Sequence, residues 1–153
     1  MGLRRKGREL AMQTLYALGF AETSDEFVEY SLLKQYPEVF HQLLTSERID
    51  YSSPLSAFAE ELIKNTIINL DDIADQITKH SANWSMESLA PLERSMLQIA
   101  VYELMFTDTP PAVVINEAIE ISKKYSSEGA GKFLNGILDA VSKELKDTQD
   151  QRR

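Results

Sequence analysis

Four cations, Arg4, Arg5, Lys6 and Arg8, open this chain, and Gln13 and Tyr16 follow them closely. Guanidinium and ammonium groups can neutralise phosphates, an amide can read a base edge, and a phenol ring offers a stacking surface. A single-stranded nucleic acid is bound by contacts of those three kinds. Placed at the start of a helix, such cations oppose the macrodipole at a cost of a few tenths of a kcal/mol each. One reading is therefore a solvated, frayed leader. The other is an arginine-rich RNA contact, in which the helix dipole and the cations act together on phosphate. Gly7 inside the cluster is expected to keep this end flexible until a ligand orders it. For Gln13 and Tyr16 the alternative is ordinary helix surface and half-buried core.

A second candidate is Gly129-Ala-Gly-Lys-Phe-Leu-Asn-Gly136, a glycine-loosened turn leading into a helix with Lys132 in its first turns, where an anion could be held. The alternative is that Phe133 packs inward and the glycines only make a corner.

Other patterns do not assemble into chemistry. Asp71-Asp72-x-x-Asp75 has the form of an aspartate-rich magnesium motif, but the chain is too short for an isoprenoid synthase and has no second such segment. Glu38-x-x-His41 is half of a di-iron ligand set without the other half. The one remaining histidine, His80, stands apart, and the chain has no cysteine, no GxxxxGK[ST] loop and no GxSxG elbow. Recognition rather than catalysis is expected, with no cofactor and no metal.

The charge distribution sharpens this. The chain carries −8 over 153 residues, yet its first eight residues hold four cations and no acid, which leaves −12 on the rest. A body of that sign repels polyanions, so an RNA site would have to be local. Without cysteine there are no disulfides, and no apolar run is long enough to span a bilayer. A cytoplasmic protein is expected.

The elements that must position these residues are helical. Pro91 to Phe106 is apolar almost all round, through Leu92, Met96, Leu97, Ile99, Ala100, Val101, Leu104, Met105 and Phe106, which marks a central helix. Pro91 suits its first turn, and the Pro110-Pro111 pair ends it. A first helix is expected over about Leu3 to Phe20, with Leu10 or Ala11, Thr14, Leu15 and Leu18 inward. A capping box at Thr23 to Glu26 should start a second, with Phe27, Tyr30 and Leu33 or Lys34 on one side and its end at Pro37. Ser53-Pro54 caps a third, which bends near Asn69 to Asp71. Helices at Val114 to Tyr125 and from Phe133 to Leu145 complete the set, with Ser126 to Gly131 as the turn between them. The expected organisation is an N-terminal helical subdomain at 1–82, a C-terminal one at 83–146 and a disordered tail at 147–153.

Four stretches carry a resemblance: Arg4-Arg-Lys-Gly-Arg-Glu-Leu-Ala-Met-Gln-Thr-Leu-Tyr16, Leu92-Glu-Arg-Ser-Met-Leu-Gln-Ile-Ala-Val-Tyr-Glu-Leu104, Val114-Ile-Asn-Glu-Ala-Ile-Glu-Ile121 and Lys132-Phe-Leu-Asn-Gly-Ile-Leu-Asp139. In their order and near spacing the chain resembles the NusB transcription antitermination factors. The resemblance implies an all-α fold of two small antiparallel helical bundles packed together. It also implies an adaptor that pairs with NusE, the ribosomal small-subunit protein, binds the single-stranded boxA element of nascent ribosomal RNA transcripts, and joins RNA polymerase. RNA contact would fall to Arg4, Arg5, Lys6, Arg8, Gln13, Tyr16, Lys132 and Phe133, and the NusE surface would include Glu93 on an exposed early turn of the central helix. Two departures follow. Gly129-Ala-Gly131 is less polar than the turn of some members, and the aromatic that certain members place near Ile77 or Thr78 is missing.

Two alternatives belong to other classes. One is a NusB-like domain serving a ribosomal RNA cytosine methyltransferase, which would need a large downstream domain. The other is a protein interaction module whose N-terminal cations are merely solvated. Whether the free protein is a monomer or a homodimer that hides its RNA face stays open.

Overall fold

The structure is a computed structural model that describes residues 2–19, 28–81, 89–125 and 128–151. Every regular element among them is helical: α1 (Gly2–Leu18), α2 (Val28–Ser46), α3 (Pro54–Ile68), α4 (Leu70–His80), α5 (Pro91–Phe106), α6 (Pro111–Tyr125) and α7 (Glu128–Gln151). The Thr23 to Glu26 capping box and Trp84 lie outside the described residues. The chain divides into two compact units, Met1–Leu70 and Asp71–Arg153. That division falls earlier than the expected boundary at 82/83, because α4 joins the second unit.

In the first unit α1 packs on α3 and α2, and α2 on α3. Leu10, Ala11 and Leu15 of α1 meet a core that also holds Leu32, Tyr36, Phe40 and Leu44 of α2 and Leu62, Ile63 and Ile67 of α3. Helix α2 does not end at Pro37 but runs nine residues beyond it. A proline inside a helix costs about 3 kcal/mol. Leu32, Tyr36, Phe40 and Leu44 recur every fourth residue, and burying each such side chain stabilises by about 2 kcal/mol, so the apolar stripe outweighs the proline. The stripe is also not the expected one: Tyr30 faces solvent, with the Lys34 ammonium 5.3 Å from its ring centroid.

Gly7 does not loosen α1. It is buried, and a Cβ there would lie 2.6 Å from Cδ2 of Phe58 and 3.6 Å from Cδ1 of Leu55. The missing side chain lets α3 approach α1 closely, and Phe58 fills the space.

The corner after α2 is a Schellman turn, in which the Ile49 N–H donates to Leu44 O (2.9 Å) and the Arg48 N–H to Thr45 O (3.1 Å). Arg48 takes the left-handed conformation, φ 58°, that this position normally gives to glycine, at a steric cost of about 1 kcal/mol. Ser53 then caps α3 as expected, its Oγ accepting from the Ser56 N–H at 3.2 Å.

In the second unit α5 packs on α6 and α7, and α6 on α7. Its Met96, Leu97, Ile99, Ala100, Val101 and Tyr102 are all buried, which is the central placement that an apolar circumference requires. Val114, Ala118 and Ile121 of α6 and Leu134, Ile137, Leu138 and Val141 of α7 complete this core. Helix α7 begins at Glu128, so Gly129 to Gly131 form its first turn rather than a corner, and it continues to Gln151 where a disordered tail was expected. Thr148 donates back to Glu144 O (3.0 Å) within that extension. Glu144 also ties α7 to α4, accepting from Lys79 Nζ and meeting His80 Nε2 at 2.7 Å.

Candidate nucleic-acid interface

The sequence-expected site residues fall into two groups, one in each unit. On α1, Arg4 and Tyr16 are exposed and Arg5, Lys6 and Gln13 are half-buried. At 100° per residue, Arg5 and Tyr16 share one bearing on the helix, and Lys6 and Gln13 share a neighbouring one. Two cations, an amide and a phenol that is 49% exposed therefore line one side of α1. A phosphodiester chain can meet charge at one end of that strip and a ring at the other.

Arg8 does not join them. It is only 2% exposed, and its guanidinium carbon lies 5.5 Å from the centroid of Phe58. The Arg4 guanidinium approaches the same ring at 4.9 Å, but Arg4 stays open to solvent. A cation against a ring face keeps its charge and its outward N–H donors. Arg8 thus builds the packing of α1 on α3, while Arg4 remains able to meet phosphate. Counting charges along the sequence could not separate the two, because the separation depends on where Phe58 lies.

Lys6 is engaged as well, its ammonium 3.2 Å from Glu47 Oε2 across a partly exposed pair. This joins the cationic end of α1 to the corner after α2. The rest of that corner is fastened in turn: Asp50 Oδ1 accepts from the Ser52 N–H and hydroxyl, each at 3.0 Å, and the Tyr51 hydroxyl donates to Glu60 Oε1 at 2.9 Å. Tyr36 donates to the other oxygen of Glu60 at 3.0 Å. Burial, reinforced by that carboxylate, pushes the Tyr36 phenol up to about 12, and the same hydrogen bonding raises Tyr51. The turn at Arg48 lacks the glycine that usually announces a Schellman turn in a sequence.

In the second unit Lys132 is exposed, but Phe133 is 4% exposed and belongs to the core. Of the two readings of this turn, the structure has the one in which Phe133 packs inward, since its place on α7 turns it toward the apolar interior. Glu93 is not on the exposed turn expected for it. It is 6% exposed, and its Oε2 accepts from the Ala90 N–H at 3.1 Å. This is one half of a capping box, the other half being lost because Ala90 has no side-chain acceptor. Among the described residues no three His, Asp or Glu side chains converge on a metal position, and no helix is long and apolar enough to cross a membrane.

Fold and site together define a class: an all-helical, two-unit protein that presents a strip of cations, amide and phenol on its first helix. Residues 5–143 match the model of the NusB family, and the chain belongs to that family. It is 37% identical over 142 residues to the transcription antitermination protein NusB of Thermodesulfovibrio yellowstonii, covering 92% of each chain. Among solved structures it is similar to T. maritima NusB, with a TM-score of 0.73, 34% identity and coverage of 92% of this chain and 91% of that one. It is also similar to a chain in a crystal structure of the antitermination factors NusB and NusE in complex with dsRNA, with a TM-score of 0.76, 27% identity and coverage of 94% of this chain and 98% of that one.

Proposed function

We propose that this protein is an antitermination adaptor without catalytic activity, which pairs with NusE, binds the boxA element of nascent ribosomal RNA transcripts and joins RNA polymerase in the cytoplasm. The observation that carries the reading is the polarised charge of a chain from this family: −8 overall, with Arg5 and Lys6 beside Gln13 and Tyr16 on one side of α1 and Arg4 exposed at the start of the same helix. The similarity to a chain in a crystal structure of NusB and NusE in complex with dsRNA supports pairing with NusE and RNA binding. Lys132 adds an exposed cation from the second unit. A role for Glu93 at the NusE surface is retained in a narrower form, in which it shapes the start of α5 and leaves the protein contact to its exposed neighbours.

A pull-down with NusE, with and without boxA RNA, tests the reading. Retention of NusE, strengthened by boxA over a scrambled oligonucleotide at moderate ionic strength, is the expected result. Retention of NusE with no preference between the oligonucleotides would instead support an interaction module whose cations are solvated.

A further inference from the structure

Arg48 is the only non-glycine residue, among those described, whose backbone is left-handed. A glycine would close the same Schellman turn without steric cost, so an arginine here needs an explanation. Its side chain is exposed, and it directly follows Glu47, whose carboxylate holds Lys6 of α1 at 3.2 Å. Arg48 is therefore the chain neighbour of the residue that ties this corner to the cationic strip, and lies on a second element. The corner that carries it is fixed from several sides, by Leu44 and Thr45 carbonyls on its backbone, by the Asp50 to Ser52 turn and by Tyr51 on Glu60. A cation on so constrained a backbone loses less freedom when it meets an anion.

We infer that Arg48 is a further phosphate-binding residue of the RNA surface on α1, and that Glu47 is a built-in competitor that occupies the Lys6 ammonium until a phosphate displaces it. The inference rests on the proposed RNA-binding function. Displacement is favourable because a half-exposed ion pair is weakly held, whereas a polyanion that meets the ammonium also releases a condensed counterion. Arg48 supplies charge at the place where Glu47 would otherwise repel the strand, so the two neighbouring residues act in opposite directions.

The test is RNA binding as a function of salt, with a boxA oligonucleotide and the full chain, for the wild type, Arg48→Gly, Arg48→Lys and Glu47→Gln. Each neutralised single-strand phosphate contributes about 0.7 to the slope of log affinity against log salt. Arg48→Gly should reduce the slope by about that much while its melting temperature rises, because glycine relieves the left-handed strain. Arg48→Lys should keep the slope. Glu47→Gln should bind more tightly with a wild-type slope, because Lys6 meets its phosphate in both proteins and only the cost of displacing the carboxylate is removed. An Arg48→Gly protein that is stabilised but binds with the wild-type slope overturns the role of Arg48, and unchanged binding by Glu47→Gln overturns the competition. A wild type with no salt-dependent boxA binding would overturn the proposed function itself, which distinguishes that failure from these two.

Discussion

A methyl group on Gly7 would meet Cδ2 of the Phe58 ring at 2.6 Å, well inside the contact distance of packed carbons. Alanine in a helix interior is favoured over glycine by about 1 kcal/mol, but overpacking a filled space costs about 1 to 3 kcal/mol. Gly7→Ala should therefore lower stability by about 1 kcal/mol in urea unfolding. In a Phe58→Ala background the same substitution should stabilise, since only helix propensity is left to act. The same sign in both backgrounds would remove the steric account.

The cations of α1 should separate into two kinds. Arg8→Ala removes a buried side chain against Phe58 and is expected to destabilise by about 2 kcal/mol, because both the packing and a desolvated cation–ring interaction disappear. Arg4→Ala with Arg5→Ala should change stability by less than about 1 kcal/mol and flatten the salt dependence of RNA binding by about 0.7 for each phosphate left without its cation. Thermal melts alongside a salt titration of RNA affinity would check both. Matching effects of the two variants on stability would contradict the assignment.

Glu93 should behave as a cap before it behaves as a binding residue. Glu93→Gln keeps an oxygen that can accept from the Ala90 N–H, and should melt within about 0.5 kcal/mol of the wild type. Glu93→Lys loses that acceptor and buries a cation at a helix N-terminus, so a loss of about 1 to 2 kcal/mol is expected. A NusE binding assay on Glu93→Gln then reports on association separately from folding. Equal stability of the two variants would show that the cap does not matter.

The Glu144 carboxyl is held below its ordinary value of 4.5 by hydrogen bonds from Lys79 first and His80 second. A depressed folded-state value contributes stability that is present above about pH 4.5 and is lost as the pH falls through the lower folded value. Melts between neutral pH and pH 3 should show this acid loss, and Glu144→Gln should make it shallower. A parallel acid profile for wild type and variant would mean that Glu144 does not couple α4 to α7.

Much of the fold was legible because it follows from periodicity and punctuation. The apolar circumference of Pro91 to Phe106 requires burial on all sides, and Ser53-Pro54 makes a cap and first turn wherever the chain goes next. Pro37 misled because local rules stop a helix there, whereas four side chains at fourfold spacing keep it going once a partner covers them. Gly7 misled for a related reason: glycine reads as freedom until a ring is found where its side chain would be.

By itself the sequence determined the helical class, the central helix and the charge polarity, since each is a property of residue types along one line. Which charges remain available was decided only by tertiary structure. Arg4 and Arg8 are the same residue type one turn apart, yet one keeps its solvent and the other is enclosed against Phe58, fifty positions away in the chain. Lys6 likewise owes its partner to a corner whose residues become its neighbours only when α2 folds back on α1. Desolvation and ion pairing depend on distance in space, and the order of residues alone does not contain that distance.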